Sequence, residues 1–439
     1  MTGPLRIAVA GLGTVGMGTL RLLRQSADLL ARRAGRPLVV SAVSARDRRR
    51  DRGTAAAGVD LSAFRWFDDA VAMAADPDID IVVELIGGAE GTARAVVETA
   101  LARRKHVVTA NKALIAKHGA ALAAQAEESG VRLLYEAAVA GGIPAIKVLR
   151  EGLAANNILR VYGILNGTCN YILTTMRETR REFADVLAEA QRLGYAEADP
   201  SFDIDGVDTA HKLAILTSLA FGTAVDMDGV HVEGIRHVSP LDIDFAEELG
   251  YRIKLLGIAR PTEHGIEQRV HACMVPRDTP VAHVEGVFNA VVVEGDFAGR
   301  IALQGRGAGA EPTASAVVSD LLDIAVAGGG GQAASVFSVP AAALARPPAA
   351  PMECHAGAYY IRLMVLDRPG VIADIAAALR DEQVSMEAMI QRARAPGEAV
   401  PVVLTTHDTE EAAMRRALRR IGDLATVLEP PRMIRIEHL

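Results

Sequence analysis

Cysteine, excess positive charge and long apolar runs are all scarce in this sequence, and each shortage excludes a class of protein. The three cysteines among 439 residues are too few and too widely spaced for a disulfide framework, so we expect a reducing, cytoplasmic environment. The 54 acidic residues outnumber the 47 lysines and arginines. The resulting net charge of −7 predicts no general attraction to nucleic acid or to anionic membranes.

The longest uncharged stretch, residues 324–345, does not fit a membrane span. It contains four consecutive glycines, two serines and a proline, and we interpret it as a helix end followed by a linker. The first residues lead directly into a predicted strand, so no cleaved leader is expected. Half of the residues are hydrophobic and 23% are charged, which at this length indicates a globular enzyme of two or three domains.

A glycine turn near the start of the chain carries the first functional signal. The sequence LRIAVAGLGTVGMGTLRLLRQ predicts a strand over residues 5–10, a turn and a helix. Its glycines fit G-x-G-x-x-G at a strand-to-helix junction, the pattern that brings backbone close to a dinucleotide pyrophosphate. The alternative is a glycine-rich turn without a ligand. The residues predicted to bind cofactor are Gly11, Gly13, Thr14, Val15 and Gly16.

The end of the second predicted strand bears on cofactor choice. An NAD site commonly has an acidic residue there for the ribose 2′-hydroxyl, whereas this strand ends in Ser44, Ala45 and Arg46. Arg46 suits the 2′-phosphate of NADP, although Asp47 leaves NAD open and Arg46 could be a solvated loop cation. Strands and helices then alternate through residue 140, which predicts a doubly wound parallel sheet with Lys112 and Glu136 at strand ends.

The remainder of the chain changes pattern twice. Residues 141–305 mix helices with alternating strands and predict an inserted α+β domain for catalysis and dimerisation. Residues 306–326 predict a helix that returns to the nucleotide domain. Residues 327–355 predict a linker, whose proline-rich part, 345–351, is expected to act as a semi-rigid spacer. A chain that ends near residue 350 is therefore expected to stay folded and active.

One acidic stretch, GYAEADPSFDIDGVDTAHK over residues 194–212, permits two interpretations. In the structural interpretation, Asp205 caps a helix and Asp208 forms an i,i+4 ion pair with Lys212. In the functional interpretation, the remaining loop acids, Glu197, Asp199 and Asp203, bind a cationic group of a substrate beside an acid–base lysine.

Six motifs in this order resemble the homoserine dehydrogenase family over nearly the whole chain. They are GLGTVG, VVTANKALIA, YEAAVAGGIPAI, NGTCNYIL, GYAEADPSFDIDGVDTAHKLAIL and GAGAEPTASAV. The resemblance implies NAD(P)-dependent, reversible hydride transfer between L-aspartate 4-semialdehyde and L-homoserine, within threonine and methionine biosynthesis. It also implies a homodimer or homotetramer.

The resemblance also implies roles for the charged residues. Lys212 matches the proton donor to the carbonyl oxygen, and Asp208 matches the aspartate that positions substrate and water. Glu197 and Asp203 match acids that bind the amino and hydroxyl end of the substrate, and Lys112 matches a lysine beside nicotinamide and substrate. Burial and Lys112 would favour a neutral amine at Lys212, whereas Asp208 would favour the ammonium, so this balance stays open.

A monovalent cation, usually sodium, is a further implication of the resemblance. Glu136 matches its side-chain ligand, and Val139, Gly141 and Ile143 match its backbone carbonyl ligands. The alternative for Glu136 is a strand-end acid bonded to the amides of the glycine loop. Gly309 matches a backbone contact to the cofactor.

The C-terminal residues 356–439 predict the order strand, helix, strand, strand, helix, strand. The stretch LDRPGVIADIAAAL resembles the ACT domain, in which Pro369 and Gly370 shape a turn that receives an amino acid. The resemblance implies feedback inhibition by threonine. The alternative is a dimerisation module without an effector.

Two other functions remain to be weighed. A cysteine-dependent semialdehyde dehydrogenase would use Cys169 as nucleophile, but no histidine lies near it in the NGTCNYIL motif. A non-enzymatic regulator that senses NAD(P) and an amino acid would not need the lysine of the acidic stretch.

Overall fold

The opening unit alternates strands and helices around one sheet. The structure, a computed structural model, describes residues 3–52, 58–327, 335–392 and 397–439. The strands of this unit are β1 (Leu5–Ala10), β2 (Leu38–Ser44), β3 (Arg65–Phe67), β4 (Ile81–Glu84), β5 (His106–Thr109) and β6 (Leu133–Leu134). Its helices are α1 (Thr14–Gln25), α2 (Ala27–Ala34), α3 (Ala70–Ala75), α4 (Thr92–Ala102) and α5 (Lys112–Ser129).

The order of these strands confirms the predicted doubly wound sheet. In the described residues it has six strands in the order β3-β2-β1-β4-β5-β6, each parallel to its neighbour. All four residues of β4 are buried, because helices cover both faces of such a sheet. The order reverses between β1 and β4, and this switch opens a crevice at the carboxyl ends of the strands.

The middle unit mixes helices with long antiparallel strands. Its first elements are α6 (Ala145–Lys147), which runs into a π turn (Val148–Gly152), β7 (Ile158–Ile164), α7 (Gly167–Thr179), α8 (Phe183–Arg192), α9 (Ser201–Ile204) and α10 (Val207–Phe221). They are followed by β8 (Val230–Val232), α11 (Pro240–Glu248), β9 (Tyr251–Thr262), β10 (Gly265–Pro276), β11 (Phe288–Gly295), β12 (Gly299–Arg306) and α12 (Ala310–Ala327).

Helix α12 packs against α1 of the nucleotide unit, as expected for a returning helix. A Cβ atom on Gly18 would lie 2.8 Å from the carbonyl oxygen of Ala310 and 3.4 Å from the Cβ atom of Ala314. Only glycine therefore allows the two helices to approach this closely. An ion pair of 2.7 Å between Arg21 and Glu311 joins the same helices at the surface.

The C-terminal unit has the predicted βαββαβ order, with one short additional strand. Its elements are β13 (Ala356–Leu366), α13 (Val371–Asp381), β14 (Met386–Ile390), β15 (Ala399–Thr406), β16 (Thr409–Glu410), α14 (Glu411–Gly422) and β17 (Arg432–Ile436). Both helices are amphipathic and pack on one face of the sheet around Met414 and Ile421. Within the described residues, no helix has the length and apolar character needed to cross a membrane.

One sheet runs through the middle and C-terminal units. Eleven described strands form it, in the order β12-β11-β7-β9-β10-β17-β13-β15-β14, with β8 on β10 and β16 on β13. The junction is a parallel pairing in which Cys273 and Met274 of β10 lie opposite Arg435 and Ile436 of β17. The C-terminal unit therefore continues the sheet of the middle unit.

Buried charged groups reinforce this junction, which we call the seam. Asp242 of α11 is fully buried and accepts hydrogen bonds from Arg362 Nε (2.7 Å) and Tyr360 Oη (3.1 Å) of β13. Arg435 of β17 donates to both carboxylate oxygens of Glu233, at 2.8 and 3.0 Å. Removing Arg362 would leave the buried Asp242 carboxylate without its counterion.

Residues 345–350 form an extended strap on the middle unit, and the spacer expected from their composition is wrong. The amide of Ala345 donates to the carbonyl of Gly222, and the carbonyl of Ala345 accepts from the amide of Ala224. Further along, Ile266 of β10 donates to Pro348 and accepts from Ala350. These bonds hold the strap as a strand-like segment. Part of the predicted linker, residues 328–334, lies outside the described residues.

Candidate active site

The glycine turn after β1 has the conformation that a dinucleotide requires. Gly11 has a φ of +103°, and a Cβ atom there would lie 2.4 Å from the carbonyl oxygen of Leu85. A Cβ atom on Gly16 would lie 2.1 Å from the carbonyl oxygen of Gly11. A Cβ atom on Gly13 would meet open space, so the backbone there is accessible to a ligand. The free amides at the start of α1 suit a phosphate.

A cleft of about 710 Å³ opens beside this turn, within the range of cofactor sites. Its walls are the glycine turn, the end of β2, residues 68–70 and residues 85–86. Arg46 and Arg50 both line the cleft, and neither side chain has an ion pair within the described residues. Arg52 also lines the cleft, and it lies with Arg48 over the ring of Trp66, at 5.7 and 5.5 Å from the ring centre. Arg50 is a candidate that the sequence interpretation missed.

A buried carboxylate fixes the backbone at the far side of the crevice. Glu84 ends β4 and accepts hydrogen bonds from the amides of Ile86 (2.8 Å) and Gly87 (3.0 Å) and from the hydroxyl of Thr109 (2.6 Å). Asn111 caps α5 and donates its side-chain amide to the carbonyl of Gly88 at 2.7 Å. These bonds position the first residue of α5, Lys112. Glu84 was missed because an acid inside a buried strand has no local sequence signal of its role.

Lys212 lies at the centre of the candidate active site. Its ammonium donates to the carbonyl of Leu165 at 2.6 Å and to Asp208 Oδ2 at 2.7 Å. An ammonium has three N–H donors, and within the described residues the third donates to no protein group. The lysine therefore holds one directed proton for a bound molecule.

Asp208 collects donors from three separate segments. Its Oδ2 atom also accepts from the Asn166 amide at 2.8 Å, and its Oδ1 atom lies 3.1 Å from Lys112 Nζ. The same Asn166 amide donates to Asp203 Oδ1 at 2.8 Å. The predicted residues Lys112, Asp203, Asp208 and Lys212 are thus brought together. Asn166, which joins them, belongs to the NGTCNYIL motif but is not among the site residues predicted from the sequence.

The pKa values of the two carboxylates in this cluster, Asp208 and Asp203, are shifted in opposite directions. Burial by itself raises the pKa of Asp208, but the Lys212 and Lys112 ammonium groups and the Asn166 amide hold it well below its ordinary value. Asp208 is therefore a permanent anion. Burial, together with the charge of Asp208, raises the pKa of Asp203, although the Asn166 amide opposes this shift.

Within the described residues, the other three acids of the 194–212 stretch make no hydrogen bond to this cluster. Asp205 follows α9 and pairs with Arg236, whose Nη2 atom lies 2.8 Å from Asp205 Oδ2. The expected helix cap at Asp205 is wrong, because Gly206, in a left-handed conformation, is the N-cap that precedes Val207, the first residue of α10. Asp199 accepts the amide of Ser201 at 3.1 Å. Glu197 is exposed, and its carboxylate bonds to no group of the described residues.

Three family models match consecutive parts of the chain. Residues 11–136 match "Homoserine dehydrogenase, NAD binding domain", residues 144–322 match "Homoserine dehydrogenase", and residues 359–423 match "ACT domain". A homoserine dehydrogenase from Pseudomonas aeruginosa is 46% identical over 439 residues, which cover 99% of this chain and 99% of that protein. The chain belongs to the homoserine dehydrogenase family. It is an NAD(P)-dependent oxidoreductase with a C-terminal ACT domain of the kind that typically binds amino-acid effectors.

Solved structures agree with this assignment. A homoserine dehydrogenase from Thiobacillus denitrificans is 47% identical, with a TM-score of 0.92 over 100% of this chain and 99% of that chain. A hyperthermophilic archaeal homoserine dehydrogenase in complex with NADPH is 27% identical, with a TM-score of 0.63 over 74% of this chain and 98% of that chain. The resemblance drawn from the six motifs is confirmed.

Within this family framework, Cys169 does not have the properties of a nucleophile. Its side chain is fully buried, and its thiol donates to the carbonyl of Asp203 at 3.2 Å. Burial raises the pKa of the thiol well above its ordinary value, and the charge of Asp203 adds to this effect. A reactive cysteine needs the opposite shift, so the geometry opposes the cysteine-dependent alternative.

Glu136 holds together two backbone segments of the homoserine dehydrogenase fold. Its carboxylate accepts the amides of Ile146 and Lys147, each at 2.9 Å, at the start of α6. The amide of Glu136 donates to Asp320 Oδ2 at 2.9 Å. Burial raises the pKa of Glu136, and burial together with the Glu136 charge raises the pKa of Asp320 to about 8. Two buried carboxyl groups therefore lie close together, and the charge of Glu136 disfavours ionisation of Asp320.

The glycine loop that follows brings backbone oxygens to the same region. Within the described residues, the carbonyls of Val139 and Gly141 accept no hydrogen bond, whereas that of Ile143 accepts the amide of Ala145 at 2.8 Å. No described cluster of three or more His, Cys, Asp or Glu side chains is arranged to hold a metal. A cation here would depend on backbone oxygens and Glu136, a donor set that suits a hard ion.

The loop before α12 packs against this region. A Cβ atom on Gly141 would lie 2.5 Å from the carbonyl oxygen of Gly307. Gly309 follows with a φ of +118° and accepts the amide of Thr313 at 3.2 Å. In the ACT domain, Gly370 has a φ of +98° and is the N-cap of α13, directly after Pro369. A Cβ atom on Gly370 would meet open space, so the turn is accessible.

Proposed function

We propose that this chain reversibly interconverts L-aspartate 4-semialdehyde and L-homoserine, with NADP(H) preferred and with Lys212 as the acid–base group. The observation that carries the proposal is the free N–H of a lysine whose other two donors are fixed. A bound nicotinamide cofactor would supply or accept the hydride at the substrate carbon. Addition of hydride to the aldehyde leaves an oxygen anion that needs a proton.

Lys212 would give its free proton to that oxygen. The Leu165 carbonyl and Asp208 hold two N–H groups of Lys212 in place, those of an ammonium before the transfer and those of a neutral amine after it. In the reverse direction the neutral amine takes the hydroxyl proton of homoserine as the hydride leaves its carbon. Lys112, on the other oxygen of Asp208, adds positive charge where the oxygen anion develops.

Asp203 and Glu197 would bind the ammonium group that both substrates carry. Asp203 faces the cluster through Asn166, and the exposed carboxylate of Glu197 has no competing protein partner within the described residues. Two carboxylates around one ammonium would orient the substrate with its reactive carbon toward Lys212. The raised pKa of Asp203 would fall when the substrate cation binds.

The cofactor would lie in the cleft beside the glycine turn. Gly11, Gly13, Thr14, Val15 and Gly16 would contact its pyrophosphate, and Gly309 would contact it from the returning segment. Arg46, assisted by Arg50, would bind the 2′-phosphate of NADP. The NADPH complex of the archaeal relative is consistent with this preference.

A sodium ion would fit beside Glu136. The carbonyls of Val139 and Gly141 have no protein donor in the described residues, and a cation would stabilise the ionised carboxylate of Glu136, which burial disfavours. Ile143 is the weakest of the expected ligands because its carbonyl already accepts an amide. Such an ion would stiffen the loop that carries residues 139–143 rather than take part in proton transfer.

Threonine would bind at the turn around Gly370 and inhibit the enzyme, and the enzyme would act as a homodimer or homotetramer in threonine and methionine biosynthesis. The test is oxidation of L-homoserine without phosphate, followed with NADP⁺ and NAD⁺, with and without threonine. Turnover that is faster with NADP⁺ and is reduced by threonine supports the proposal. Phosphate-dependent oxidation of the semialdehyde, with no oxidation of homoserine, would point to a cysteine-acylating enzyme, and turnover of neither substrate would leave only a regulator.

A further inference from the structure

A polar cavity of about 240 Å³ lies away from the catalytic cluster, where the strap crosses the middle unit. The end of α10, the loop that follows it and β10 form the other walls. The polar residues that line it are Thr217, Thr223, Asp226, Gln268 and Arg346.

Two of these side chains are buried with an unpaired oxygen. Gln268 is 4% exposed and Thr217 is 3% exposed. Gln268 Oε1 and Thr217 Oγ1 each have no hydrogen-bond partner among the described residues. Buried polar atoms are normally paired, because water lost on burial must be replaced. A molecule that donates hydrogen bonds inside the cavity would satisfy both oxygens.

The cavity also carries one group of each charge. Asp226 Oδ1 accepts only the amide of Gly229, at 3.0 Å, and Arg346 on the strap has no ion pair within the described residues. The backbone at Arg346 is held in place, because Ala345 and Pro348 on either side of it are hydrogen-bonded to the middle unit. A carboxylate and a guanidinium are thus held at the edge of one small polar cavity.

We propose that this cavity binds a small zwitterionic amino acid. Its ammonium would donate to Asp226 and Gln268, its carboxylate would accept from Arg346, and a side-chain hydroxyl would reach Thr217. The site is separate from both the catalytic cluster and the ACT turn. Thr217 is five residues beyond Lys212 on α10, roughly 7.5 Å along the helix axis at 1.5 Å per residue. A ligand in the cavity would therefore contact the same helix that carries Asp208 and Lys212.

The test is calorimetric titration of the full chain with glycine, L-serine and L-threonine, in the absence of homoserine and cofactor. Binding is measured without turnover, so the result does not depend on the proposed reaction. Two variants remove the predicted contacts. Arg346→Ala deletes an exposed side chain, and Thr217→Val removes one hydroxyl at nearly constant volume. Arg32→Ala, an exposed arginine of α2, is the matched control.

Arg346→Ala should weaken binding roughly tenfold to a hundredfold, the effect of losing a hydrogen bond to a charged group. Thr217→Val should weaken the binding of threonine and serine by about threefold to tenfold and leave the binding of glycine unchanged. Arg32→Ala should leave the affinity for all three amino acids unchanged. Binding that survives both variants but is lost in Gly370→Val assigns the ligand to the ACT turn and overturns the proposal. Absence of saturable binding means that water fills the cavity, and it also overturns the proposal.

Discussion

The seam between the middle and C-terminal units offers a quantitative test of how the molecule is held together. The Asp242 carboxylate is buried and accepts hydrogen bonds from Arg362 Nε at 2.7 Å, from the Tyr360 hydroxyl at 3.1 Å and from the Ser239 hydroxyl at 2.6 Å. The change Arg362→Met keeps the side-chain volume but removes the only guanidinium bonded to Asp242 in the described residues. The Asp242 carboxylate would then stay buried with neutral donors alone.

Breaking a buried ion pair on one side costs about 3–5 kcal/mol of unfolding free energy. We therefore expect Arg362→Met to lose about that amount, measured by urea unfolding at pH 7 and followed by both tryptophan fluorescence and circular dichroism. The control is Arg380→Met, since Arg380 and Asp381 form an exposed pair whose loss should cost about 1 kcal/mol or less.

A loss below about 1 kcal/mol in Arg362→Met would refute the reasoning, because the seam would then be a loose contact. The same reasoning reverses the expectation that a chain ending near residue 350 stays active. Such a chain would lose β17 from the edge of β10 and would leave Glu233 and Asp242 without their arginines. We expect it to be insoluble or inactive.

Four further outcomes follow from individual side chains. Cys169→Ala should keep kcat within about threefold of the intact enzyme in a steady-state assay, because the buried thiol takes no part in proton or hydride transfer. In fluorescence titrations, Arg46→Ala should weaken the binding free energy of NADP(H) by about 1.5–3 kcal/mol more than that of NAD(H). Glu197→Ala should raise KM for homoserine more than it lowers kcat. Burial lowers the pKa of Lys254 to about 8 in the folded chain, against an ordinary value of 10.5. Below pH 8 the buried ammonium therefore destabilises the folded chain. Between about 8 and the ordinary 10.5, unfolding takes up a proton, and the intact chain should gain about 1.4 kcal/mol of stability per pH unit relative to Lys254→Met.

Each of these outcomes has a clear opposite. A Cys169→Ala enzyme with no activity but normal folding would restore the cysteine mechanism. Equal losses for both cofactors would remove Arg46 from the 2′-phosphate site, and an unchanged KM would make Glu197 a solvated loop acid. Parallel stability curves for the intact chain and Lys254→Met would show that Lys254 titrates normally when folded.

The sequence predicted well what depends on local spacing. The glycine turn, the strand before it, and Asp208 paired with Lys212 one helical turn later all follow from residues close together in the chain. It predicted poorly what depends on packing between distant segments. The link from Asn166 to both Asp203 and Asp208 joins two motifs whose separation gives no hint of contact.

The strap is a second feature that depends on contacts between distant segments and could not be predicted from the sequence. Proline and alanine in residues 345–350 indicate an extended segment, which is correct, but composition does not say whether an extended segment finds partners. The free backbone groups of Gly222 and Ile266 supply them. The seam arises likewise, because the last strand of the chain pairs with residues 273–274 of β10, beyond the part of the β10 edge that β8 and the strap occupy.

The most direct test of the central claim is the single-turnover rate of aldehyde reduction by Lys212→Met, with NADPH affinity measured on the same preparation. Loss of a general acid should slow the step by about 10²–10⁴-fold. NADPH should bind as in the intact enzyme, because Lys212 contacts Leu165 and Asp208 rather than the glycine turn. A rate within tenfold of the intact enzyme, at unchanged NADPH affinity, would show that Lys212 is only half of a structural ion pair and that the proton comes from another group.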